Sequence, residues 1–167
     1  ILSQGSGKEA AWGRTIAGRK LDNLVRQQTG IAKAVYIAEF VRFLVESGER
    51  VLLGLWHRAV YDIVNARLRD TNYGDDLHPA FYPGEESEKQ KRESLDRFKG
   101  GDTPVLCMSL RSGAALDGLL YACRTVVLGE LDWSHVVHHQ LISRVDRDGQ
   151  PDPVVAYFLL AAAGSDP

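Results

Sequence analysis

The sequence predicts a three-layer α/β domain, a mostly parallel sheet with helices on both faces. Short continuous apolar runs bounded by charge or turn residues, Val51–Trp56 the clearest, suit strands buried on both faces. These runs alternate with amphipathic stretches of ~10–15 residues, the pattern of βαβ units. Size bounds the answer: 167 residues, 44% hydrophobic and 25% charged, suffice for one domain with a real core.

In chain order, residues 8–28 read as a helix through Trp12, Ile16, Leu21, Leu24 and Val25, weakened by Gly13 and Gly18. A sharper helix runs from Lys33, where Ile37, Phe40, Val41 and Leu44 recur at i, i+3, i+4 and i+7. Ser47-Gly48 stops it, because glycine tolerates the left-handed position after a helix. Val51–Trp56 is the first strand, and Val60, Ile63, Val64 and Leu68 make the stripe of the next helix. His78–Tyr82 is a weaker strand, broken by Pro79 and closed by Pro83-Gly84. Glu85–Lys99 is a polar helix with Leu95 and Phe98 facing inward, ended by Gly100-Gly101. Pro104–Met108 is a strand, followed by a glycine- and alanine-rich turn and a short helix through Leu120. Thr125–Leu128 is a strand, Ser134–Val145 a helix with Ser134 as N-cap, and Val154–Leu160 the last strand.

Composition excludes several classes. No run approaches the ~18 apolar residues of a membrane span, and no basic-then-apolar leader suggests secretion. A start at Ile1 rather than Met predicts a piece cut from a longer chain. A net charge of −2 gives no global attraction to nucleic acid, so any DNA site must be local. Cys107 and Cys123 lie in apolar runs without a second ligand at metal spacing, which reads as two buried, reduced thiols of a cytosolic protein.

Three side chains could carry chemistry. On a helix, Gln140, Arg144 and Arg147 share one face through offsets of four and three. Two guanidinium groups and an amide projecting together could clamp phosphates, since the guanidinium fork matches phosphate oxygens. The plainer alternative is a solvated face, with the arginines paired to Asp146 or Asp148. Trp56, His57 and Arg58 follow a strand's carboxyl end, where open α/β sheets bind ligands, although a core-and-turn role suits Trp56 as well. Gly5-Ser6-Gly7-Lys8 imitates a phosphate-binding loop but lacks the upstream glycine and the following hydroxyl. His135, His138 and His139 offer a pair at metal spacing without an acidic or thiol partner, and read as ordinary helix histidines.

The order of several segments then carries a resemblance. Val126-Val127-Leu128-Gly129-Glu130-Leu131-Asp132-Trp133-Ser134 leads into Gln140-Leu141-Ile142-Ser143-Arg144-Val145-Asp146-Arg147-Asp148-Gly149-Gln150 and then Val154-Val155-Ala156-Tyr157. This resembles the stretch from motif V to motif VI in the C-terminal RecA-like lobe of Swi/Snf-type, superfamily two DNA-dependent ATPases. Arg26–Lys33 is similar to the family's opening of that lobe, and Val51–Trp56 to motif IV. Tyr82-Pro83-Gly84 with Ser87, Gln90, Lys91 and Phe98 resembles the helix that follows, and Ser109-Leu110-Arg111-Ser112-Gly113-Ala114 resembles motif V. The sequence departs from the pattern at Ser143 and Ala114, where glycine is usual, and at Leu116-Asp117-Gly118.

The resemblance implies a RecA-like, P-loop-NTPase-type lobe over residues 26–162, with residues 1–25 an N-terminal helical or linker segment and 163–167 a tail. It implies that Arg147 is an arginine finger for ATP held with Mg2+ mainly by a first RecA-like lobe of the same protein. Arg144 would be its partner at the phosphates, and Gln140 would help set that interface. Ser109, Arg111, Ser112 and Gly113 would contact the backbone of double-stranded DNA. The parent would be a DNA-dependent ATPase and translocase, cytoplasmic and nucleoid-associated, or nuclear in a eukaryote, and this chain alone would be inactive. One rival is a catalytically silent lobe that docks DNA or protein. Another is a stand-alone nucleotide- or sugar-binding domain, for which Gly113-Ala114-Ala115 is a poor phosphate turn.

Overall fold

Among the described residues of the computed structural model, five strands form a single parallel sheet: β1 (Val51–Leu55), β2 (Ala80–Tyr82), β3 (Val105–Ser109), β4 (Thr125–Leu128) and β5 (Val155–Phe158). Their order is β2-β3-β1-β4-β5, which centres β1, with Val51 opposite both Val105 and Thr125. The structure describes residues 4–82, 87–112 and 118–166, with side chains from residue 18 onward. Pro83-Gly84 and Gly113 therefore lie outside the described residues.

The sheet is covered by the described α-helices α1 (Gln4–Glu46), α2 (Arg58–Arg69), α3 (Glu88–Gly100) and α4 (His135–Ile142). Strand alternation divides the core in two. Val51, Leu53 and Leu55 of β1 pack with Ile37 and Val41 of α1 and Val60 and Val64 of α2. Leu52, Leu106, Met108 and Leu128 face the other way, toward Phe98 of α3 and Leu141 of α4. Every residue of β1 is buried, as a central parallel strand requires. The three-layer α/β class expected from the sequence is the observed one.

The largest differences from expectation are in α1 and the last helix. The separate helices expected over 8–28 and from Lys33 are one helix, α1, of 43 residues. Glycine at position 30 does not break it, because close packing needs glycine there. A Cβ would lie 2.6 Å from Oε1 of Glu130 and 2.9 Å from Cγ2 of Val60. The stop at Gly48 holds, with φ of 88° and its N–H donated to the Val45 carbonyl. The last helix is shorter than expected, ending at Ile142 rather than Val145. Beyond it the chain tightens into turns, with Arg144 N–H donating to Leu141 O and Val145 N–H to Ile142 O. Ser134 occupies the N-cap of α4 but makes no side-chain cap bond. Its N–H donates instead to Oδ1 of Asp132 at 2.9 Å. In α3 the start is Glu88, fixed by a capping box between Ser87 and Gln90.

Candidate functional site

The strands β1, β3 and β4 lie side by side, so the turns leaving their carboxyl ends converge. Open α/β sheets place their ligand crevices at such ends, where the chain order switches sides. The turn after β1 carries Trp56 and His57, that after β3 Arg111 and Ser112, and that after β4 Glu130 and Asp132.

Glu130 is 4% exposed and binds the β1 turn twice over. One oxygen accepts from the backbone N–H groups of Trp56 and His57 at 2.6 and 2.9 Å, and the other meets Nδ1 of His57 at 2.6 Å. Nε2 of His57 reaches Oδ1 of Asn23 at 3.2 Å. Asp132, 3% exposed, accepts from Nε and Nη2 of Arg111 at 3.1 and 2.7 Å. Arg26 lies 3.4 Å from the same carboxylate oxygen and donates to the Leu131 carbonyl. Burial alone would raise the Asp132 pKa, but the Ser134 N–H and the Arg111 and Arg26 charges together hold it below the usual value. The Arg111 guanidinium lies 4.6 Å from the centroid of the Trp56 ring.

Helix α1 closes this edge from one side. Asn23, Arg26, Gly30 and Lys33 are spaced three, four and three apart, hence on one helix face. Lys33 is 8% exposed and donates to the Leu159 carbonyl and to Asp166, both at 2.6 Å. The tail returns across α1 at this point, and the N–H of Ser165 donates to the Thr29 hydroxyl.

The Gln140, Arg144 and Arg147 trio is arranged differently from the single helical face expected. Gln140 is on α4 and exposed, whereas both arginines fall in the turns beyond it. Arg144 is 8% exposed and turns inward, where Nη2 donates to the carbonyl of Ser112. Burial lowers its pKa, and the like charge of Arg147 lowers it further, which puts the two guanidinium groups within electrostatic reach. Arg147 remains exposed, with Nε donating to the Ser143 carbonyl at 2.9 Å. The segments that resemble motif VI and motif V are thus in direct contact. Ser109 is half-buried at the end of β3, Ser112 is half-buried, and Arg111 is exposed.

Other expectations resolve simply. Residues Gly5–Lys8 lie within α1 and not in a strand-to-helix loop. His138 uses Nε2 to accept the Asp132 N–H at 2.8 Å and packs edge-on to Phe158. Among the described residues, no group of three or more His, Cys, Asp or Glu could hold a metal ion. Both cysteines are free and buried. Arg58 pairs with Asp62 on the exposed face of α2. Sequence reading gave no role to Glu130, Asp132 or Asn23, nor any single role to Arg26 and Lys33. The three-and-four spacing along α1 is visible in the sequence, whereas nothing local marks Glu130 and Asp132 as buried.

No protein-family model matches the chain. The chain is 26% identical over 158 residues to the Drosophila melanogaster SWI/SNF-related matrix-associated actin-dependent regulator of chromatin subfamily A-like protein 1. That match takes in 92% of the chain and 20% of the relative, so the chain spans a fifth of its length. The fold is similar to the crystal structure of the C-terminal part of the Fun30 ATPase domain, with a TM-score of 0.61 and 21% identity, covering 72% of this chain and 38% of that one. Likeness in sequence to a SWI/SNF-related protein, joined to the fold of the C-terminal part of an ATPase domain, supports the chain as a C-terminal RecA-like lobe of the Swi/Snf type.

Proposed function

We propose that the chain is the second motor lobe of an ATP-dependent double-stranded DNA translocase, inactive alone and completed by a first RecA-like lobe of the same parent. The observation that carries this is the contact between the motif VI and motif V segments, Arg144 on the carbonyl of Ser112. A nucleotide-facing turn and a DNA-facing turn joined in this way can pass a change at one to the other. ATP and Mg2+ would be held mainly by the first lobe, and the residues here fit only the phosphate-facing half. An exposed, permanently charged Arg147 suits a finger that neutralises charge on the transferring phosphoryl group, an effect worth ~10³–10⁵ in rate. Gln140, exposed on α4 seven residues earlier, would help seat the two lobes. Ser109, Arg111, Ser112 and Gly113 would follow the DNA backbone, which positions the protein without reading sequence. The chromatin role in the name of the relative suggests a nuclear, chromatin-associated parent if the source is eukaryotic.

The test is ATP hydrolysis by the full-length parent, with and without double-stranded DNA, comparing wild type with Arg147→Ala. DNA-stimulated turnover that falls at least ~10³-fold is the expected result. A second reading, a silent lobe that docks DNA or protein, draws on the burial of Arg144, whose bond to Ser112 would serve a purely structural arginine equally well. Turnover indifferent to Arg147→Ala would decide for it.

A further inference from the structure

The buried acidic pair after β4 has no part in the function proposed above. Glu130 and Asp132 both face α1, against Gly30 and Arg26, while Leu131 between them packs into the opposite core. Each carboxylate grips a different neighbouring turn. Glu130 fixes the backbone of Trp56 and His57 after β1, and Asp132 holds the Arg111 side chain after β3. Between them they bring the Arg111 guanidinium over the Trp56 ring.

An exposed arginine samples many rotamers, and ordering it at the moment of binding opposes affinity. Asp132 removes that freedom beforehand. It is 3% exposed, it is itself oriented by the Ser134 N–H, and its two contacts to Arg111 leave that side chain 51% exposed. The carboxylate therefore anchors the arginine from below without covering its outer side. We propose that Asp132 is a positioning residue that preforms the DNA-facing surface of Arg111 stacked on Trp56, and that it acts on DNA only through Arg111. The inference rests on the DNA role proposed for Arg111.

The test uses the full-length parent, titrating its ATPase with double-stranded DNA in a double-mutant cycle of Asp132→Asn and Arg111→Ala, with thermal melting of each variant. Asparagine keeps the size and an acceptor for the Ser134 N–H but loses the charge that holds the guanidinium. Asp132→Asn should raise the half-saturating DNA concentration up to about tenfold, the scale of ordering one rotamer-rich side chain at the moment of binding. Turnover at saturating DNA should stay within about twofold, the mark of a binding effect rather than a chemical one. In the Arg111→Ala background the same substitution should add nothing. An additive loss in that background overturns the inference, as does an unchanged half-saturation point in the single variant.

Should Asp132→Asn melt early, Arg111→Lys reads the same geometry, since lysine keeps the charge but cannot present the planar fork of two nitrogens, Nε and Nη2, to the carboxylate. The expected result is the same weakened titration, and a wild-type titration overturns the inference. A parent stimulated by DNA equally well with Arg111→Ala overturns the DNA role itself and the inference with it. That outcome is recognisable because Arg111→Ala is then silent on its own.

Discussion

His138 accepts the Asp132 N–H through an unprotonated Nε2, and burial lowers its pKa below the ordinary 6.5, with the nearby His135 and Arg26 lowering it further against the pull of Asp132. A histidine depressed in the folded state stabilises the fold fully above its unfolded pKa and loses that contribution as pH falls through and below 6.5. Thermal melting between pH 8 and 5 should therefore drop more steeply for wild type than for His138→Asn. At Gly30, the alanine substitution usually favourable to a helix should instead destabilise by about 1–3 kcal/mol, because Glu130 cannot retreat without releasing His57. Urea unfolding measures it, and unchanged stability would mean that the α1 contact yields easily. At this scale the sequence was partly legible. The spacing of Gln140, Arg144 and Arg147 makes them candidates, but it cannot say that Arg144 is buried on Ser112 and Arg147 exposed. That depends on where α4 ends, a matter of a few turn hydrogen bonds.

Helix α1 combines two unlike halves. Its residues 34, 37, 38 and 41 are fully buried against the sheet, whereas residues 18–25 are all exposed. Helical stability in proteins comes mostly from packing, so the exposed half should open far more readily. Backbone amides of residues 18–25 are expected to exchange with deuterium well before those of 34–44 in the isolated chain. Equal protection would show the projecting half to be covered. In α3, Ser87→Ala removes the acceptor for the Gln90 N–H and should cost about 1 kcal/mol by denaturant titration. Existence and type of the elements were readable from periodicity, most clearly for β1 and for the stripe of α1. The join across Gly30 was not readable, since local propensity marks a glycine as a weak point and the tertiary contact that requires it involves Glu130, far along the chain.

The whole molecule is bound at its edge by long-range polar contacts as well as by its two cores. Lys33 and Asp166 pair at 2.6 Å with both side chains under a tenth exposed. Asp166→Asn leaves a buried ammonium with the Leu159 carbonyl and a weakened second partner, and should lower unfolding free energy by about 1–3 kcal/mol. An unaltered urea midpoint would mean that the tail contributes nothing to the fold. Parallel topology followed from the strand–helix alternation, yet the strand order did not, because nothing local says which strands are neighbours. That order bears on synthesis. β1, wholly apolar and wholly buried, is the first strand in the chain, but its neighbours β3 and β4 begin only at Val105 and Thr125. At ~5–20 residues per second, the strand leaves the ribosome several seconds before either flank exists. Nascent chains stalled short of Thr125 should be captured by holdase chaperones, and chains stalled well past Phe158 should escape them.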